Sequence, residues 1–247
     1  MTAVAHRRGS LGMGVFTLLV VAGLISLGVW QLQRRVEKHA LIAALTERLN
    51  AVPAPLPPPG QWGALNAEHD EFRRVIFDAT FGEAAEARVY TTGSALRNDV
   101  ATLGTFVFTP VTLAGGAVVV VDRGFVPDGA TASEPPRQAL TLTGYLRFPE
   151  QPGWVTPAPD VGKRLWFARD HRGMAQALSW GAVAPFYIDL ESPAPPAGLP
   201  KPGSLDVHLR DEHMQYAITW FGLAAAVTIA FAAWLRGRIR SGPPTQA

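Results

Sequence analysis

The chain contains no cysteine, which excludes structural disulfides, thiolate copper or zinc centres and Cys-X-X-Cys redox chemistry. It also lacks the usual traces of a convergent catalytic set: Gly-x-Ser-x-Gly, His-Glu-x-x-His and the phosphate-cradling Gly-x-x-x-x-Gly-Lys are all missing. A protein that is not an enzyme is expected. Net charge is only +2, and Arg and Lys gather beside two apolar runs instead of interleaving with aromatics. That distribution argues against a nucleic-acid partner.

Charge is missing altogether from two long stretches, 11–32 and 216–235. A bilayer core of about 30 Å needs about 20 helical residues, so each stretch is long enough to cross once. The first could instead be a secretory signal, because Arg7 and Arg8 supply a basic start. Its apolar run exceeds the usual length of a signal core, however, and it passes into Trp30-Gln31-Leu32 and a basic cluster without a small-residue cleavage site. A retained anchor and a lipid-bilayer partner are expected.

These runs divide the chain into a tail at 1–10, a transmembrane helix at 11–32, an amphipathic stalk and Pro-rich linker at 33–60, a β-rich domain at 61–209, a second transmembrane helix at 210–235 and a basic tail at 236–247. The expected fold class is integral membrane, α+β, with two transmembrane helices flanking a β-rich, mainly antiparallel extracytoplasmic domain with short helices. Arg236, Arg238 and Arg240 argue for a cytoplasmic C-terminus, and two spans then put the N-terminus on the same side. Arg34, Arg35 and Lys38 run against this tendency, from which so long an intervening segment is largely exempt. With ten residues before the first span there is no room for an amphipathic mitochondrial targeting segment, so a bacterial plasma membrane with a periplasmic central domain is expected.

Within the central part, the helix formers of 36–50 predict a continuation of the first helix, and the prolines of 52–60 predict an extended spacer. Strands are predicted at 73–81, 88–92, 104–113, 117–122, 139–147, 164–169 and 185–190, with a further short one at 205–209. Gly115-Gly116 marks a tight hairpin. A short helix over 171–180 is opened by Asp170 as N-cap.

Histidines are the remaining chemistry. Glu68-His69-Asp70-Glu71 reads as a solvated acidic loop, and His39 and His171 as ordinary surface or packing residues. His213 stands three residues before a charge-free run and shares a helical face with Tyr216, Ala217 and Trp220. Two readings follow: an interfacial aromatic belt, or an axial imidazole for haem iron beside flat and small residues that accept the macrocycle. Gly222, Ala226 and Ala230 repeat at four-residue intervals, a spacing suited to packing on the first span or to docking a partner helix.

Several stretches together resemble the Surfeit-locus protein one family, the Shy-type assembly factors of cytochrome c oxidase. They are Leu27-Gly28-Val29-Trp30-Gln31-Leu32-Gln33-Arg34, Phe72-Arg73-Arg74-Val75 with Phe81, Gly104-Thr105-Phe106-Val107-Phe108-Thr109-Pro110-Val111, Val119 through Pro127, and His213-Met214-Gln215-Tyr216-Ala217-Ile218-Thr219-Trp220-Phe221. Asp122 replaces a more usual Asn, and Gly144-Tyr145-Leu146-Arg147 varies a Gly-x-x-Arg segment. The resemblance implies help in haem a binding and insertion into the oxidase catalytic subunit, that subunit as partner, haem a synthase as a secondary one, and His213 as the haem ligand. A scaffold that stabilises an oxidase subunit without binding haem is the alternative. On the haem reading, Tyr216 and Trp220 line the ring, and Arg34 and Arg35 are candidates to pair with the propionates. Arg123-Gly124 is expected to shape a turn.

Overall fold

The structure, a computed structural model, describes residues 2–94, 96–206 and 212–240, without the side chains of 2–11, 40–41 and 239–240. Residues 207–209 of the strand expected at 205–209, the tail beyond Arg240 and the side chains of Arg7 and Arg8 lie outside the described residues. In chain order the elements are α1 (Thr2–Asn50), β1 (Ala54–Pro55), a 3-10 turn (Pro59–Ala64), α2 (Ala67–Asp70), β2 (Arg74–Phe81), β3 (Ala87–Thr91), β4 (Gly104–Leu113), β5 (Val118–Pro127), β6 (Leu140–Arg147), β7 (Leu165–Trp166), α3 (His171–Ala177), β8 (Val183–Ser192) and α4 (His213–Arg240). They form two units, Met1–Ile42 with Arg210–Ala247 and Ala43–Leu209.

The helical unit follows from composition. α1 and α4 are each long and apolar enough to cross a membrane, and only 6% of either apolar window is buried. Leu18, Leu19, Ile218 and Ile229 are all more than half exposed. Three hydroxyls within these stretches bond back to their own helix: Ser26 Oγ donates to the Ala22 carbonyl (2.8 Å), Thr219 to Gln215 (2.9 Å) and Thr228 to Ala224 (2.7 Å). Such back-bonding spares these three hydroxyls the need for water.

The sheet unit is one eight-stranded sheet in the order β1-β2-β6-β8-β5-β4-β3-β7, and an additional β2–β4 pairing closes its five middle strands into a ring. The mainly antiparallel sheet expected from the sequence is corrected here to a mixed one, because β1–β2, β3–β7 and β5–β8 run parallel. Hairpin signals report only pairs that are neighbours in sequence. The β5–β8 pair is joined through β6, β7 and α3, and such a crossover leaves no turn signature.

β5 and β8 are buried on both faces, as their near-continuous apolar runs require. One face of the pair contributes Val119, Val121, Phe186 and Ile188 to a core with Val75, Phe81, Val111, Leu142 and Leu146. The other contributes Val120 and Tyr187 to a second core with Phe106, Phe108, Trp166, Met174 and Trp180. The Gly115-Gly116 hairpin forms as expected: Gly116 has φ +82° and donates to the Leu113 carbonyl at 2.8 Å. Asp170 caps α3 by accepting from Gly173 N–H at 3.0 Å.

Three local expectations are corrected. The prolines at 52–60 do not form a free spacer: Ala54 and Pro55 pair with Val75 and Ile76 as an edge strand, where a missing N–H is tolerated, and Leu56 and Trp62 pack on the first core. Arg123-Gly124 is no turn but a bulge within β5, since Phe106 faces Phe125 while Phe108 faces Asp122. Gly124 takes φ +118° there, and a Cβ would strike the Lys201 carbonyl. Glu71, expected in a solvated loop, reaches inward to Arg147 at 2.6 Å and the Phe148 N–H at 3.1 Å.

Candidate functional site

Within the helical unit, α4 begins at His213, and the Tyr216 N–H donates to the Glu212 carbonyl to close its first turn (3.2 Å). Four α1 residues on one face meet it. Gly28 lies so close to the Phe221 ring that a Cβ would come within 2.6 Å of it. Gln31 Oε1 hydrogen-bonds His213 Nδ1 at 2.8 Å. Arg35 Nη1 approaches Met214 Sδ at 3.9 Å, and Lys38 lines a pocket with Glu212, His213 and Tyr216. Offsets of three, seven and ten residues from Gly28 put all four on one helical stripe. On α4, Ala217 and Ala224 are buried, as small residues at a close helix crossing should be.

The pocket is an open basin of about 310 Å³. An amide oxygen at Nδ1 suits the tautomer that has its proton on that nitrogen. This is the arrangement that orients a metal-ligating imidazole. Tyr216 is half exposed beside it. The described residues hold no group of three or more His, Cys, Asp or Glu that could grip a metal ion. Among the described residues the basin thus offers a single imidazole, the number of protein donors that one axial position of a haem iron takes.

A model of the SURF1 family matches residues 18–225. The chain belongs to the SURF1 family. Among its relatives, Surfeit locus protein 1 of Rattus norvegicus is 31% identical over 257 aligned residues, covering 98% of this chain and 81% of the rat protein. A SURF1-like protein of Monosiga brevicollis is 32% identical, with 98% and 94% covered. Surfeit locus protein 1 of Homo sapiens is 30% identical, with 89% and 77% covered.

In this SURF1-family chain, of the residues singled out from sequence, His213 and Tyr216 come together at the basin. Trp220 does not line it; its ring is half buried and its indole nitrogen is enclosed without a hydrogen-bond partner among the described residues. Arg34 points elsewhere, pairing with Glu37 at 2.7 Å, and Arg35 lies against Met214, so neither stands at the basin. Gly222, Ala226 and Ala230 are exposed, and nothing lies within 4 Å of where a Gly222 Cβ would be. The stripe thus faces away from α1, and packing on the first helix is corrected to Ala217 and Ala224. Sequence reasoning missed Gln31 and Lys38; their spacing from Gly28 was the available signal.

The sheet unit holds a second concentration of polar groups. Asp122 on β5 and Asp189 on β8 are register partners, and both are buried with Tyr187, Arg147 and His171. Arg147 Nη1 stands 3.6 Å from Asp189 Oδ2, and its guanidinium lies 4.5 Å over the Phe72 ring. Burial first, and then the Asp189 charge, push the Asp122 carboxyl up to about 7. Burial lowers His171 to about 4; its Nε2 meets the Ala184 carbonyl at 3.0 Å. Burial works against the Arg169 charge, but Tyr187, Asp122, Asp189 and Glu150 together raise its pKa. Asp122 Oδ2, Arg147 Nη1, His171 Nδ1, Tyr187 Oη and Asp189 Oδ1 are buried here without a hydrogen-bond partner among the described residues.

Arg123 is buried, pairs with Glu86 and donates to the Ser133 carbonyl at 2.8 Å. Its role is structural, tying the bulge to neighbouring loops.

Proposed function

We propose that the chain is a membrane-anchored assembly factor for haem-copper cytochrome c oxidase, holding haem a for delivery to the catalytic subunit and catalysing no reaction of its own. The observation that carries this reading is the Gln31–His213 pair, an imidazole oriented by a second helix at the rim of an open basin. Family membership and the resemblance of the His213–Phe221 stretch to the family's own motif supply the link to the oxidase.

The membrane setting rests on surface chemistry. Two long helices with bare aliphatic side chains would expose more apolar area than water tolerates, and lipid accepts them. The arginines in the last turns of α4 favour a cytoplasmic C-terminus, and with two spans the central segment then lies on the far side, the periplasm of a bacterial plasma membrane. His213 is then at the outer lipid boundary. His213 would hold the haem iron there through its imidazole, with Tyr216 beside it and Gln31 orienting the ring, and the haem would be the cargo passed on.

A second reading is favoured by the outward stripe of Gly222, Ala226 and Ala230, which is free to take a partner helix. On that reading the chain is a scaffold that steadies an oxidase subunit. Haem a content of the oxidase catalytic subunit, measured with and without this chain in cells expressing both, separates the two. The haem-handling reading predicts normal subunit amount with depleted haem a, and retention of the subunit by the tagged chain. Loss of subunit with full haem a in what remains supports the scaffold, and no change in either contradicts both.

A further inference from the structure

We infer that Gln31 is a positioning residue: by accepting the Nδ1 proton of His213 across the helix pair, it sets the imidazole tautomer and hence the donor strength of Nε2. The importance of that setting for haem rests on the function proposed above, but the tautomer itself can be read without any ligand.

The two residues are 182 positions apart and meet at 2.8 Å. An isolated neutral imidazole favours its proton on Nε2, which would leave the wrong nitrogen available if Nε2 is to face a metal. An amide oxygen at Nδ1 reverses the preference. It also stops rotation of the ring, because Gly28 and Ala217 let the two helices approach closely enough to keep Gln31 within reach. The groups around the imidazole are Lys38 and Glu212 at the basin and Tyr216 one turn along. The amide is neutral, so it orients the ring without adding charge; a carboxylate at the same position would give it partial imidazolate character.

The test has two arms. Histidine-labelled protein without haem is examined by nitrogen NMR, with the His213 signals identified by their loss in His213→Gln. The wild type is expected to carry the proton on Nδ1, and Gln31→Leu to move it to Nε2; an Nε2–H ring in the wild type, or no change in Gln31→Leu, overturns the inference. In the second arm, protein purified from cells making haem a is titrated for reduction potential and haem retention. Gln31→Leu should raise the potential and loosen haem about 10- to 100-fold, whereas Gln31→Glu, which keeps the acceptor, should retain haem and lower the potential. A coloured wild type with an unaltered Gln31→Leu overturns the inference and leaves the haem reading standing. A colourless wild type defeats the haem reading, and the first arm then decides the tautomer by itself.

Discussion

Asp122 and Asp189 stand side by side across the parallel pair of β5 and β8, two buried carboxylates in register. Their burial, and then their proximity, has a measurable consequence for stability. Asp122 is raised from 3.8 to about 7, so between those values the folded protein holds a proton that the unfolded chain has released, and stability falls as pH rises. His171 is lowered from 6.5 to about 4, so in nearly the same window the unfolded chain holds the extra proton, and stability falls as pH drops. The two slopes, each about 1.4 kcal/mol per pH unit at most, oppose and offset one another.

Thermal midpoints between about pH 4 and 6.5 should therefore vary little from these two groups in the wild type, and single substitutions should uncover them. Asp122→Asn keeps an acceptor for the Gly124 N–H and removes the titrating acid, so its midpoint should drop on acidification. His171→Phe should do the opposite, losing stability as pH rises toward 7. Parallel profiles for all three proteins would contradict this assignment.

The helix pair predicts a contrast between two glycines. Gly28→Val forces a side chain into the Phe221 ring and should destabilise the pair by about 1–3 kcal/mol, seen as a lower melting temperature in detergent. Gly222→Ala meets open space and should melt like the wild type. Equal behaviour of the two variants would show that the crossing is not where the structure has it.

At the bulge, Gly124→Glu must take a positive φ and also displace the Lys201 and Pro202 backbone. The strain alone costs on the order of 1–3 kcal/mol, and the collision adds to it, so low protein yield and a depressed melting temperature are expected. A variant with normal yield and melting would contradict the account.

Much of the fold was legible because local chemistry dictates it. The charge-free runs became helices, Gly115-Gly116 became the hairpin, and Asp170 became the cap, each from a signal contained in a few residues. What sequence could not carry was long-range pairing. Nothing local tells β5 to lie parallel to β8, so the mixed sheet and the Asp122–Asp189 pair were invisible. A glycine needing positive φ reads the same in a turn and in a bulge, which is why Arg123-Gly124 was misplaced. The prolines at 52–60 were read for what they forbid, and their edge pairing depends on a strand some twenty residues on. At the basin, His213 and Tyr216 were singled out from position and aromatic spacing and do lie together, whereas Gln31 and Lys38 are ordinary polar residues until the opposing helix is placed.

The central claim is that the His213 imidazole holds haem a. Its most direct measurement is the visible spectrum of the protein purified from cells making haem a, with His213→Ala prepared alongside at equal yield. The wild type should carry the haem a bands and the variant should lose or shift them. A colourless wild type, or a spectrum indifferent to the substitution, would contradict it.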